Sequence, residues 1–247
     1  MIGTPVMTET EFESESYASC SYAQLRNKVK MWLGVDAMLI EVNVTAEKSS
    51  EFSGMAWSLY IPVSRFAGVT VEALMANGSL VLVKLREEHV PGNYSLAWLE
   101  GGAGWIIPLN EGGLLVAFYS NAWSRGVTID VVDGRECGGG SYEVRGWLGH
   151  YISMVEGQVI GLPLYLKPYR SQDELNQAIS TVLTALEDLG MGEPLSTVRI
   201  RLVATLRLEE AREGRKSMTP TYYMLGALAF MAVLAALIGY YMLKTRR

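Results

Sequence analysis

Between residues 37 and 165 the chain is a succession of short apolar runs. Ala37–Val44, Ala56–Pro62, Ser79–Leu85, Tyr94–Leu99, Trp105–Leu109, Leu114–Ser120, Val127–Val132, Tyr142–Trp147 and Val159–Tyr165 are rich in β-branched and aromatic residues, and Gly, Asn, Asp or Pro separates them. Runs of that length at a spacing of roughly ten residues predict antiparallel strands joined by hairpins. The glycine clusters Gly101-Gly102-Ala103-Gly104 and Gly138-Gly139-Gly140 read as hairpin loops, because an aromatic strand pattern follows each rather than the helix start that a phosphate cradle needs.

Three segments carry a helical pattern. Ser21-x-x-Gln24 resembles a capping box, and Leu25, Val29, Trp32 and Leu33 share a helical face closed by Gly34, predicting a helix over 22–33. Thr70–Ala76, stopped by Asn77-Gly78, predicts a short helix. Ser171 with Glu174 forms a second capping box, followed by a stripe of Leu175, Ala178, Ile179, Val182, Leu183, Leu186 and Leu189 that Gly190 is placed to end. Beyond Pro194 the period returns to two: Val198, Ile200, Leu202, Ala204, Leu206 and Leu208 alternate with Arg199, Arg201 and Arg207, as in a strand with one basic face. The expected fold class is α+β: a largely antiparallel β domain with a few helices, plus one C-terminal transmembrane helix.

That last element rests on Tyr222–Leu243, which holds no charged residue. At ~1.5 Å per residue it spans about 33 Å, close to the ~30 Å hydrocarbon core of a bilayer. Tyrosine pairs sit at both ends, and Arg212, Arg215, Lys216, Lys244, Arg246 and Arg247 flank it. Gly226, Ala229, Ala232, Ala236 and Gly239 fall on one face, where small residues would admit a partner helix or a second copy. The expected organisation is a flexible leader over 1–18, a folded domain over 19–208 with a strand–helix–strand subdomain at 159–208, a charged stalk over 209–220, the transmembrane helix over 221–243 and a short basic tail over 244–247.

Sidedness divides the signals. Glu9, Glu11, Glu13 and Glu15 stand where the apolar stretch of a secretory signal would begin. Asn43-Val44-Thr45, Asn77-Gly78-Ser79 and Asn93-Tyr94-Ser95 have the form of glycosylation acceptors, which tilts the expectation towards an extracytoplasmic glycoprotein domain. In an oxidising compartment Cys20 and Cys137 could form one bridge.

The 247 residues carry 49% hydrophobic and 19% charged residues, enough apolar side chain for a core and too little charge for a disordered chain. A net charge of −5 with scattered arginines and lysines excludes a phosphate-binding stripe, so nucleic acid is not expected as a partner. No catalytic, cofactor-binding or metal-binding motif stands out. His89 lies in a turn beside Glu87 and Glu88, and His150 follows Gly149; neither has a Cys or His neighbour at ligand spacing. Ser141, His150 and Asp133 are close in sequence but lack a nucleophile elbow. Asp130 and Asp133 lack the ligand series of a calcium loop and read as the end of a strand and its turn. The six tryptophans and thirteen tyrosines are expected mostly as core filling.

The functional expectation is therefore a single-pass, membrane-anchored, non-catalytic interaction or structural module, such as an accessory subunit of a cell-surface assembly. Two alternatives stand beside it. One is a membrane-tethered hydrolase using Asp130, Asp133, Glu136 and His150; the other is a cytoplasmic tail-anchored adaptor.

Overall fold

The computed structural model describes residues 10–20, 23–33, 37–118 and 126–191. The chain divides into two compact units, residues 1–210 and 211–247, and all described residues lie in the first. Eleven strands form one antiparallel sheet that curls into a half-barrel. They are β1 (Thr10–Cys20), β2 (Ala23–Leu33), β3 (Met38–Ala46), β4 (Ser50–Pro62), β5 (Thr70–Met75), β6 (Leu80–Lys84), β7 (Ser95–Pro108), β8 (Gly113–Phe118), β9 (Val127–Asp133), β10 (Ser141–Met154) and β11 (Val159–Tyr169). The spatial order is β1-β2-β3-β11-β8-β7-β9-β10-β4, with β5 pairing β6 and β7 off that path. A four-residue helix α1 (Val63–Phe66), a 3-10 turn (Gly134–Cys137) and helix α2 (Gln172–Gly190) complete the described residues.

The α+β expectation is corrected to a mostly antiparallel β fold, and two predicted helices account for the difference. Ala23–Leu33 form β2, in place of the helix expected over 22–33. Leu25, Val29, Met31 and Leu33 alternate with Arg26, Lys28 and Lys30, so the same letters that place Leu25 and Val29 on one helical face also carry a period of two. Pairing decided between them: β2 is matched along its length by β1 and β3. The expected helix at 70–76 is β5. It is hydrogen-bonded on both sides, by β6 and by β7, and Val71, Ala73 and Leu74 are fully buried. Two-sided pairing and burial outweigh the modest helix propensity of Glu-Ala-Leu-Met.

The Gly101–Gly104 cluster is not a hairpin loop either. The two runs expected on its flanks belong to one 14-residue strand, β7, whose pairing with β9 shifts register between Leu99 and Gly102. A Cβ on Gly102 would meet the Ile129 side chain at 2.4 Å, so glycine here permits close approach of the two strands.

Helix α2 forms as its sequence predicts. The Ser171 hydroxyl accepts from the Glu174 amide at 3.2 Å, and the Glu174 carboxylate accepts from the Arg170 amide. Its stripe of Leu175, Ala178, Val182, Leu186 and Leu189 is buried against Leu39, Leu115, Ala117 and Tyr165. This cluster draws on β3, β5, β7, β8 and β11; no residue of β9, β10 or β4 takes part.

Residues 10–18, expected in the leader, lie in β1. The expected strand at 198–208, the stalk and the 221–243 segment lie outside the described residues. No described helix is long and apolar enough to cross a membrane. The single-pass assignment, its extracytoplasmic placement and the partner contact through Gly226, Ala229, Ala232, Ala236 and Gly239 are accordingly corrected: none is supported, and none enters the functional reading.

Candidate functional site

Period-two alternation splits β10 into two faces. Tyr142 and Val144 are fully buried on one, whereas Glu143, Arg145 and Trp147 emerge half-buried on the other. Pairing extends that second face across three neighbours. Arg145 lies opposite Asp130 of β9 on one side and Ser58 of β4 on the other, and Asp130 in turn lies opposite Trp98 of β7. Glu143 lies opposite Tyr60 and Val132, and Trp147 opposite Thr128 and Ala56. β4, β9 and β10 contribute nothing to the cluster under α2, and β7 joins it through Ala103 and Ile106, further along the strand than Trp98.

The centre of the face is an ion pair. Asp130 is almost wholly buried, and Arg145 holds it with two parallel bonds, Nε to Oδ1 at 2.8 Å and Nη2 to Oδ2. Such a fork fixes the guanidinium plane. Arg145 then packs over the Trp147 ring, with Cζ 5.0 Å from its centroid, and its Nη1 lies 3.8 Å from Glu143 Oε2. Trp147 meets Trp98 with centroids 6.0 Å apart and planes tilted by 45°. Trp98 is 49% exposed, although it lies on a strand whose other aromatic, Trp105, is fully buried. Burial raises the Glu143 carboxyl above its ordinary pKa; the Arg145 charge opposes this and the Asp130 charge adds to it.

The face thus joins an exposed indole, a second indole at an angle to it, a guanidinium fixed in its plane and a carboxyl whose pKa burial raises. It can pack a flat apolar ring while exchanging hydrogen bonds with hydroxyls at that ring's edge.

A second polar cluster lies at the end of β9. Asp133, with a fully buried side chain, accepts from the Arg135 amide at 3.1 Å and from Arg135 Nε at 2.9 Å and Nη2 at 2.7 Å. The Arg135 hydrogen bond is the main reason the Asp133 carboxyl lies below its ordinary pKa. Arg135 also donates to the carbonyls of Arg86 and Glu87, and the Tyr142 hydroxyl donates to the Arg86 carbonyl. Glu136 accepts from the Gly92 amide and lies 3.3 Å from His89 Nε2, while His89 Nδ1 is 3.8 Å from Asp133 and has no hydrogen-bond partner. These contacts clasp the 86–93 loop to the 3-10 turn, and a carboxylate so saturated is a clasp rather than a free base.

The residues singled out from sequence are therefore distributed differently from expectation. Asp133, Glu136 and His89 come together, a grouping with no signal in sequence because His89 is 44 positions from Asp133. Asp130 belongs to the other face, with Arg145. His150 pairs with Gly54, eight positions along β10 from Tyr142, the partner of Asp133. At ~3.3 Å per residue that is about 26 Å, too far for a triad with Ser141. Asn77 and Asn93 lie in exposed turns, and Asn77 Oδ1 accepts from the Ser79 amide and hydroxyl. Asn43 lies inside β3 between β2 and β11 and donates to Glu41. Cys137 is exposed with a free thiol; Cys20 ends β1. Among the described residues no three His, Cys, Asp or Glu side chains are placed to share a metal ion.

Sequence reasoning missed Trp98, Glu143, Arg145 and Trp147 by assigning aromatics to the core. The available signal was the alternation Glu143-x-Arg145-x-Trp147, which sets three non-core side chains on one face between the buried Tyr142, Val144 and Gly146.

No family model matches the chain. No curated protein matches it by sequence. Among solved structures it is similar to an Escherichia coli K12 protein provisionally named an aldose 1-epimerase, with 13% identity over 65% of this chain and 66% of that one and a TM-score of 0.42. It is also similar to a galactose mutarotase related enzyme from Lactobacillus acidophilus, with 9% identity over 66% and 69% and a TM-score of 0.31. A Synechocystis protein shows 10% identity over 69% and 65% and a TM-score of 0.45. The chain thus spans about two thirds of the length of these structures. The expectation of a non-catalytic membrane-anchored module is corrected here in its anchoring: no described helix is long and apolar enough to cross a membrane. Its two alternatives, the membrane-tethered hydrolase and the tail-anchored adaptor, are unsupported in the same respect.

Proposed function

We propose that the Trp98–Trp147 face is a carbohydrate-active site that binds a single sugar ring and promotes proton exchange at its anomeric centre. The observation that carries this reading is the placement of Glu143 and the fixed Arg145 guanidinium beside the Trp147 indole, which in turn meets the exposed Trp98. A pyranose has an apolar face of C–H groups and an equatorial belt of hydroxyls. The first packs on Trp98, and the second accepts from Arg145 and donates to Glu143.

The chemistry follows from the carboxyl's two oxygens. In its protonated form, which burial favours, Glu143 has a donor oxygen and an acceptor oxygen side by side. Glu143 can give its proton to the ring oxygen as the C–O bond to the anomeric carbon breaks, and take one from the anomeric hydroxyl in the same event. The proton count on Glu143 is unchanged, and the sugar opens to its aldehyde, from which either anomer can close. General acid–base assistance of this kind contributes roughly 100- to 10,000-fold. The reading rests on these side chains and not on the distant structural likenesses.

Aldoses, the sugars in one neighbour's name, are the first probe. The rate of optical-rotation change of a freshly dissolved α-aldose should rise with protein concentration. Glu143→Gln should abolish that rise, and Trp98→Ala should weaken sugar binding read by tryptophan fluorescence. A protein that neither binds nor accelerates any common aldose sinks the proposal.

A further inference from the structure

The turn between β5 and β6 holds Asn77-Gly78, and none of the chain's six other asparagines is followed by glycine. We propose that Asn77 is a self-modification site, converted to aspartate and isoaspartate by its own backbone with help from Ser79. The Gly78 nitrogen bonds to Asn77 Cγ, and the Cγ–Nδ2 bond breaks. Water relays the Gly78 proton to Nδ2, which leaves as ammonia. A second water then opens the cyclic imide. Cleavage of the Cγ–N bond gives aspartate, and cleavage at the main-chain carbonyl gives isoaspartate, whose backbone runs through Cγ. Nothing is oxidised or reduced.

The turn supplies what each step needs. Attack at Cγ places negative charge on Asn77 Oδ1, and the Ser79 amide and hydroxyl already donate to that atom at 2.9 and 2.7 Å. Those are the distances at which donors stabilise a developing oxyanion. The Met75 amide donates to the Ser79 carbonyl at 2.9 Å, which fixes Ser79 across the turn. Gly78 has φ +83° and no Cβ, so its nitrogen is unshielded, and its N–H donates to the Met75 carbonyl, aligned with the proton it must give up. Asn77 and Ser79 are both exposed, so water reaches the reacting atoms.

Other sites lack this combination. Asn27 and Asn43 lie within the paired ladder of β2 and β3, and Asn176 is held inside α2. Asn93 and Asn110 precede Tyr94 and Glu111, whose side chains crowd the attacking nitrogen. Asp133-Gly134 shares the glycine, but Arg135 holds a buried carboxylate there, and a carboxylate is a poor electrophile. At Asn77 each conversion adds a negative charge. Isoaspartate also lengthens the main chain between Met75 and Ser79, whose bond closes the turn beside the Leu74–Leu80 pair.

The test ages the full chain at mildly alkaline pH and follows every asparagine by peptide mapping, with electron-transfer fragmentation to separate aspartate from isoaspartate. Asn77 should convert ahead of the others and yield both products. Ser79→Ala removes one donor from Oδ1 and should slow conversion about threefold to tenfold, the effect of one hydrogen bond on a barrier. Ser79→Thr keeps the hydroxyl and should restore the parent rate. In urea the parent and Ser79→Ala should convert alike, because the fold sets the donor against Oδ1. Circular dichroism checks that both variants fold. Four results would overturn the proposal: Asn77 still an amide after another asparagine has converted, slowing by less than about threefold in Ser79→Ala, the same slowing in urea, or Ser79→Thr as slow as Ser79→Ala. Neither Asn77 nor Ser79 belongs to the sugar face, so this result is independent of the outcome there.

Discussion

Gly54 lies directly under the indole of Trp147: a Cβ at Gly54 would come within 2.7 Å of Trp147 Cζ3 and 3.3 Å of the Gly149 carbonyl oxygen. Gly54 sits on β4, and Trp147 reaches diagonally across it from β10. The absence of one side chain on an edge strand therefore sets the lie of a ring two strands away from Trp98. Gly54→Ala should displace the indole and cost about 1–3 kcal/mol, as overpacking does. Chemical denaturation gives the cost, and sugar affinity should fall in the same variant.

The Asp130–Arg145 pair supports the face from beneath. Asp130→Ala leaves a guanidinium with its main partner gone and should destabilise the protein by about 3–5 kcal/mol. Replacing both residues by apolar ones of similar volume should restore much of that stability, yet leave the sugar response absent. A double-mutant cycle in urea, with sugar titrations on each corner, separates the two effects. Equal loss in the single and double variants would remove the pair from its supporting role.

Glu143 predicts a pH dependence of definite sign. Its folded pKa is raised chiefly by burial, so the folded state holds the proton at pH values where the unfolded chain has lost it. Its contribution is fully present below the ordinary carboxyl range and is lost as pH rises through the raised folded value. Glu143→Gln removes this titration. The stability of the parent relative to the variant should fall across that window, measured as the difference between two urea midpoints at each pH. A constant difference would place Glu143 in ordinary solvent.

Asp133 predicts the opposite sign. Arg135 depresses its folded pKa, so its contribution is present above the ordinary carboxyl value and disappears as pH falls through the folded one. Asp133→Asn should flatten the acid limb of the stability curve. It should also release the 86–93 loop, because Arg135 would no longer be held where it reaches the Arg86 and Glu87 carbonyls. Faster hydrogen exchange at Gly92, with α2 unchanged, is the expected signature.

The cap of α2 is the simplest case. Ser171→Ala removes the hydroxyl that accepts from the Glu174 amide and should cost about 0.5–2 kcal/mol, read from the thermal midpoint.

How much of this was legible depends on whether the information was local. Helix α2 was readable because its cap, stripe and end all lie within twenty residues. Most strands were readable as alternating or apolar runs. β1, β2 and β5 were not, although for the first two the sequence held a cue: Glu13 and Glu15 alternate at a period of two, and they pair in register with Lys30 and Lys28. That match becomes visible only when the two segments are laid antiparallel, since each alone is either featureless or helix-like. The site was illegible for the same reason. Trp98, Asp130 and Arg145 stand on adjacent strands but are far apart in sequence, and only the register of β7, β9 and β10 makes them neighbours.

The tilt between Trp98 and Trp147 has a further use. Two indoles 6.0 Å apart with planes neither parallel nor perpendicular are close enough for their electronic transitions to mix. Such a pair gives a split circular-dichroism band of opposite-signed lobes. The face therefore carries its own optical label, and any occupant that turns either ring by a few degrees announces itself without dye, isotope or mutation.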